Sequence, residues 1–265
     1  MTVGWAAYRS ARRRSRQAWG IMAAAAVLFI AVVAWFFGIG QFTLASPATA
    51  GPTEAPVFDA AWMNPVQEPH DVPAGSAAAA LASLQVKGRA SKNGYTRESF
   101  GQAWEDADHN GCDTRNDILR RDLTASRFTE GSRCAIASGT LLEPYTGRSL
   151  NFSRGGDTSA AVQIDHVVAL ADAWQKGAQG LTPAQRRTLA NDPLNLIAVD
   201  GDANQEKGAG DAATWLPASK SIRCHYVARQ ISVKAAYGLW VTQGERDAMA
   251  RVLDSCPAQS TLTAG

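Results

Sequence analysis

From Ala18 to Gly40 the chain carries no charge, and its centre from Ile21 to Phe37 is apolar almost without break. As a helix, about 20 such residues at 1.5 Å each span a bilayer core. Five arginines precede the run (Arg9, Arg12, Arg13, Arg14 and Arg16), with no acid anywhere before Gly51. This one-sided basic flank predicts a cytoplasmic segment over residues 1–17, a transmembrane or signal helix over 18–40, and export of everything after it. Two readings stay open. Ala48-Thr49-Ala50 is an A-x-A-like cleavage site; against it, the apolar run is longer than the 7–15 residues usual in a signal peptide and ends well before that site.

Residues 41–76 are rich in Pro, Ala, Thr and Gly, show no apolar period, and read as a tether. A folded domain is predicted over 77–257, with a tail over 258–265. Inside it the apolar spacing predicts helices over Ala77–Val86, Thr114–Leu123, Val168–Lys176, Ala203–Lys207 and Ser221–Tyr237. Thr182-Pro183 supplies an N-cap and a first-turn proline for another. Thr242-Gln-Gly-Glu245 is a capping box opening a last helix that runs to Cys256. Short strands are predicted over Ala125–Phe128, Cys134–Leu142, Ser149–Phe152, Val162–Ile164 and Leu194–Val199. The expected fold class is α+β.

Charge and cysteine usage then narrow the function classes. The 265 residues sum to +2, but without the five N-terminal arginines 21 basic residues face 24 acidic ones, a net charge of −3 for residues 51–265. That excludes a strongly basic nucleic-acid coat over the folded part, so any polyanion is gripped locally. The four cysteines (Cys112, Cys134, Cys224, Cys256) form no C-x-x-C pair, and an even count beyond an export signal favours disulfides over zinc. Three connectivities are open; the sequential one, Cys112–Cys134 with Cys224–Cys256, is preferred because each bridge staples a local segment.

Three segments carry candidate chemistry: Gln163-Ile164-Asp165-His166, Leu194-Asn195-Leu196-Ile197 and Asn204-Gln205-Glu206-Lys207. The first two put polar residues at the ends of apolar strands, and the third lies on the first turn of a helix. A strand–strand–helix unit of this kind brings an acid, an imidazole, two amides and a lysine toward one point, a set suited to phosphodiester hydrolysis. A neutral imidazole takes a proton from an attacking water. A carboxylate beside an amide oxygen offers hard ligands to Mg²⁺, and a lysine adds a point charge for phosphate. Each residue also has a bland explanation as a cap, turn or hydrogen-bonding pair.

The order Asp165-His166 … Asn195 … Asn204 … Lys207 resembles an HNH nuclease of the ββα-metal finger type, in the form where asparagine replaces the last histidine. The wider context is more specific. Cys112-Asp-Thr-Arg-Asn-Asp-Ile-Leu119, Pro144-Tyr-Thr-Gly147, Asp165-His-Val-Val-Ala-Leu-Ala-Asp-Ala-Trp174, Ala190-Asn-Asp-Pro-Leu-Asn-Leu196 and Trp215-Leu-Pro217 look like exported bacterial HNH-family proteins. Those are related to the C-terminal nuclease domain of GmrSD-type restriction enzymes. The resemblance covers about residues 80–257. It implies an HNH finger embedded in the mixed domain, His166 as general base, Asp165 and Asn204 as ligands of a divalent metal (Mg²⁺, or Mn²⁺), Asn195 as the residue that holds the hairpin and orients the histidine, and Lys207 facing phosphate. The implied activity is endonucleolytic, on DNA rather than RNA and with low sequence specificity, outside the cytoplasm. Histidine at Asn204 is commoner in such enzymes, and the acidic balance departs from a strong DNA binder.

Other residues are weighed against their plain readings. Asp106-Ala-Asp108-His-Asn110-Gly111, with Asp117 twelfth, matches the start of a calcium loop, but Asp117 stands where a bidentate glutamate is usual and Asp113 at an apolar position. An acidic loop tethered by a disulfide is the preferred reading. His109 reads as exposed, His70 as incidental and His225 as a surface or packed histidine. Arg115 is placed either at the site or in a salt bridge. No G-x-G-x-x-G or P-loop is present, so no nucleotide cofactor is expected, and neither G-x-S-x-G nor H-E-x-x-H occurs. Two rivals remain: a catalytically silent surface-binding or adhesion module that keeps the fold, and a metal-dependent hydrolase of another phosphodiester, such as a wall or lipid polymer.

Overall fold

The structure is a computed structural model and describes residues 75–155 and 158–262. The expected helix over 18–40, its basic flank and nearly all of the tether lie outside the described residues. Among those described, no helix is long and apolar enough to cross a membrane.

The chain order is α1 (Ala77–Ser83), α2 (Thr114–Asp122), β1 (Leu123–Phe128), β2 (Ile136–Leu142), β3 (Ser149–Ser153), α3 (Thr158–Ala161), β4 (Val162–His166), α4 (Leu170–Gln175), α5 (Pro183–Asn191), β5 (Leu196–Asp200), α6 (Gly201–Lys207), α7 (Arg223–Ala236) and α8 (Gln243–Leu253), with short 3₁₀ turns between. Strands β1, β2 and β3 form an antiparallel meander, and β4 pairs with β5 in a separate antiparallel ladder. The mixed α+β class read from the sequence is therefore present, and each helix and strand predicted between residues 77 and 257 is found with shifted ends. Helix starts follow the predicted caps: Thr182 and Thr242 each complete a capping box, with Gln185 and Glu245.

The β4–β5 ladder positions the site. Its register, with His166 opposite Leu196 and Asp165 opposite Ile197, sorts its side chains onto two faces. Ile197 and Val199 enter a core built with Tyr145, Tyr226, Val227, Ile231 and Met249. Val162, Ile164, Leu196 and Ala198 enter another, built with Ile118, Leu119 and the meander. The ladder is thus a partition between two cores, and all five residues of β5 are buried. Its strands are not joined by a tight turn: residues 167–195, carrying α4 and α5, leave and return between them. That excursion is longer than a compact hairpin, and a third core around Phe100, Leu189 and Val233 holds it.

A two-stranded ladder buried on both faces has edge groups that water cannot reach, and side chains supply the partners. Asp122 accepts from the Ala198 amide at 2.8 Å and from Arg121 at 2.6 and 3.0 Å. Arg121 and Arg229 both donate to the Leu196 carbonyl, at 2.7 and 3.0 Å, and Arg229 also to Leu194. Gln230 donates to the Val167 carbonyl at 3.0 Å.

Two further devices fix the frame. Lys176 and Lys234 have fully buried side chains. Lys176 contacts Asp172, Asp211 and Glu245 at 2.7 Å each; Lys234 contacts Glu245 at 3.0 Å, and Arg89 contacts Asp172 and Asp211. Three cations and three carboxylates leave this cluster neutral. Burial works against the Lys176 charge, but Asp172 and Glu245 outweigh it and hold its pKa above the usual lysine value. The disulfides are Cys112–Cys134 and Cys224–Cys256, the sequential pairing. The last residues are also tied in: Ala77 donates its amide to Gln259 O at 2.8 Å and Thr261 to Gly75 O at 3.0 Å. What reads as the start of a tail is therefore, through residue 262, part of the domain.

Asp122→Ala should destabilise the chain by about 3–5 kcal/mol, because it strands the Arg121 charge and the Ala198 amide in a dry interior. Urea unfolding measures this, and a loss below about 1 kcal/mol, the size of an ordinary net hydrogen bond, would show that the ladder edge is satisfied by other means.

Candidate functional site

The site is built where β4 ends. Asp165 faces the core with the tyrosines. The Tyr145 hydroxyl donates to Asp165 Oδ2 at 2.6 Å, and the Lys207 ammonium contacts both carboxylate oxygens, at 2.9 and 3.0 Å. Lys207 Nζ also donates to the His166 carbonyl at 2.8 Å. Tyr145, Trp215 and Tyr226 pack edge-on around one another, 4.9–5.9 Å between ring centroids, above this pair. Burial, and then the Asp165 charge, push the Tyr145 hydroxyl well above its usual pKa, so it stays a donor.

His166 is on the other face. The residue is 7% exposed, and Nε2 stands 2.8 Å from the Ala190 carbonyl. A carbonyl can only accept, so Nε2 carries the hydrogen and Nδ1 keeps the lone pair. Burial lowers the pKa to about 4, against the opposing pull of the Ala190 bond and Asp165, so the ring is neutral at pH 7. Trp104 lies nearly parallel to it, 6.4 Å between centroids at 15°.

Asn195 is fully buried and ties the residues that follow His166 to the end of α5. Its Oδ1 accepts from the Val168 amide at 2.8 Å, its backbone carbonyl from the Val167 amide at 2.8 Å, and its Nδ2 donates to Val168 O and Leu189 O at 3.3 Å. Asn204, on α6, donates from Nδ2 to Gln163 Oε1 at 2.8 Å. Helix α6 starts one residue after β5 because Asp200 caps it, accepting from Ala203 N at 2.9 Å. Gly201 is required there, since a Cβ would run into the Ala160 carbonyl.

The structure therefore brings Asp165, Lys207 and the His166 backbone together, and pairs Asn204 with Gln163. It does not aim Asp165 and His166 at one point, because consecutive residues of a strand point to opposite faces. The sequence has Lys207 facing phosphate; here its ammonium is buried against Asp165. The metal expected from Asp165 and Asn204 does not fit this donor set. Both Asp165 carboxylate oxygens already hold an ammonium or a phenol, and Asn204 spends its Nδ2 on Gln163, so only its Oδ1 is left to face an ion. Among the described residues, no three His, Cys, Asp or Glu side chains are grouped to hold an ion.

In the acidic loop, Asp106 accepts from the Asn110 and Gly111 amides at 3.0 and 2.9 Å, and Asp113 caps α2 through the Asn116 amide at 2.8 Å. Arg115 donates to Val162 O at 3.3 Å and, among the described residues, has no salt bridge. Four participants escaped the sequence: Trp104, Gln163 as a partner of Asn204, Tyr145 as a partner of Asp165, and the Ala190 carbonyl. Tyr145 and Ala190 stood inside motifs already singled out; Trp104 carried no signal.

The family model for GmrSD restriction endonucleases, C-terminal domain, matches residues 113–252. An uncharacterized secreted protein of Arthroderma benhamiae is 38% identical over 195 residues, covering 72% of this chain and 91% of that protein. No solved structure matches. The match spans both ladders, the helices between them and every residue of the candidate site except Trp104, and on that ground the chain belongs to the GmrSD restriction endonuclease C-terminal domain family.

Proposed function

We propose that this chain is an extracytoplasmic endonuclease that hydrolyses phosphodiester bonds of nucleic acid, DNA in preference to RNA, with His166 as general base. The observation that carries the reading is the His166–Ala190 contact, which holds a neutral imidazole in the tautomer that leaves Nδ1 basic. Asn195 acts through the backbone: by binding Leu189 and Val168 together it sets both the ring and the carbonyl that orients it. Two disulfides and a secreted relative support a place outside the cytoplasm. The N-terminal apolar run would serve as anchor or signal.

A family of HNH type implies a divalent ion. With Asp165 closed by Lys207, the part of the reaction that this chain's own residues supply is the proton transfer at His166. That closure favours a second reading, a binding module that keeps the fold without catalysis.

The full chain incubated with supercoiled plasmid, with Mg²⁺, Mn²⁺ or EDTA, decides between them. Nicking is expected, with His166→Ala slower by about 10²–10⁴-fold, the usual contribution of a general base. Nicking that persists at full rate in His166→Ala overturns the assignment, and a folded chain that nicks under no condition leaves the binding module. An RNA substrate in parallel tests the preference for DNA.

A base works in its neutral form, so the rate is lost as pH falls through its pKa. With burial holding His166 at about 4, kcat/KM should stay level from neutral pH down to about 5 and be halved near 4, rather than near the 6.5 of a free imidazole. A pH–rate profile reads this directly, and an acid limb centred near 6.5 would mean that the ring is solvated in the working enzyme.

The Asp165–Lys207 contact is expected to behave as a buried pair. Asp165→Asn, Lys207→Met and the double variant should show a coupling of about 1–3 kcal/mol in a double-mutant cycle of unfolding free energies. A coupling near zero would free Asp165 to serve as a ligand.

A further inference from the structure

The family match begins at residue 113, yet the wall facing the His166 ring comes from before it. We propose that Trp104 is a positioning residue for His166, its indole forming the flat wall that holds the imidazole plane against the Ala190 carbonyl. This deepens the reading of His166 as base and rests on it for the catalytic consequence alone.

Trp104 is held in a left-handed conformation, φ 58°, which bulky side chains seldom adopt and which costs about 1–3 kcal/mol unless the surroundings impose it. The surroundings do impose it. The following residue is anchored three ways: the Glu105 amide donates to Asn191 Oδ1 at 3.1 Å, the Thr114 hydroxyl donates to the Glu105 carbonyl, and the Glu105 carboxylate contacts Arg187 at 3.3 Å. Asn191 is 2% exposed and follows Ala190 directly. The pair Ala190-Asn191 therefore fixes the imidazole twice, once by accepting from Nε2 and once by holding the loop that carries the indole. A ring separation of 6.4 Å at 15° lies within the range of offset aromatic pairs. The indole also closes the edge of the core that contains Ile164 and Leu196, so it touches the same face of β4 from which His166 projects.

An alternative role as a plain core cover predicts that any apolar side chain of similar bulk will serve. Trp104→Leu keeps apolar bulk without a flat ring, and Trp104→Phe restores the ring. In the full chain, Trp104→Leu should lower kcat for plasmid nicking by about 10–100-fold with KM held within about twofold, while Trp104→Phe stays within about threefold of the parent, because a misplaced base loses rate rather than affinity. Independently of activity, ¹⁵N shifts of the His166 ring at neutral pH should show one protonated and one unprotonated nitrogen in the parent and in Trp104→Phe, and shifts averaged between the two tautomers in Trp104→Leu. Unchanged kcat and unchanged shifts in Trp104→Leu, with only a lower melting temperature, overturn the proposal, and so does a rise in KM at constant kcat. If the shifts respond as expected but no variant and no parent chain nicks DNA, Trp104 holds the ring and the nuclease reading is what fails.

Discussion

A ladder of only two strands, buried on both faces, is the constraint from which most of this domain follows. A two-stranded sheet in water is marginal, and here both its faces are covered by core. Its outer hydrogen-bonding groups must still be satisfied. The chain meets this with long polar side chains brought in from two helices: Arg121 and Asp122 from the end of α2, Arg229 and Gln230 from the middle of α7. This role explains why α7 carries an arginine and a glutamine on a stretch with no exposed face, while the buried Ser232 holds the Leu262 amide and Lys234 enters the ion cluster. Asp122 accepts from a backbone amide, and the two arginines and the glutamine donate to backbone carbonyls of the buried ladder and its ends.

The same partition decides the character of the site. Asp165 and His166 are neighbours in sequence but belong to different cores. On one face a tyrosine, a lysine and a carboxylate make a closed, charge-balanced set under three aromatic rings. On the other a neutral imidazole stands between a carbonyl and an indole. Acid and base are kept apart by the thickness of a strand, so the imidazole owes its state to burial and to Ala190 more than to Asp165. Asn195 links the two by holding the residues that follow His166 to those that precede β5.

Away from the site, the neutral cluster of Arg89, Lys176, Lys234, Asp172, Asp211 and Glu245 joins α4, α7 and α8 with the segment after α6. Removing one member would leave a charge buried alone, which costs more than the pair contributes. The cluster thus specifies how the helices sit against one another as much as it stabilises them. With the two disulfides it holds a frame in which the long excursion between β4 and β5 returns to the same place.

Much of this was legible in the sequence because it depends on short-range patterns. Apolar periodicity placed the helices and strands, the threonine capping boxes placed two helix starts, and the even cysteine count with no C-x-x-C pair pointed to the two local disulfides. The family was legible because its motifs are runs of adjacent residues. What the linear order could not decide was which side chains meet. Lys207 looks free for phosphate until the fold folds α6 back on Asp165; Asp165 and His166 look like one unit until the pleat separates them. Trp104 looks incidental until residues 105, 114 and 191 fix its loop over the ring. The pleat is local, but it takes effect because β4 runs on through Asp165 and His166 with both of its faces covered; the Lys207 and Trp104 outcomes depend on contacts between residues up to tens of positions apart, which no local pattern encodes.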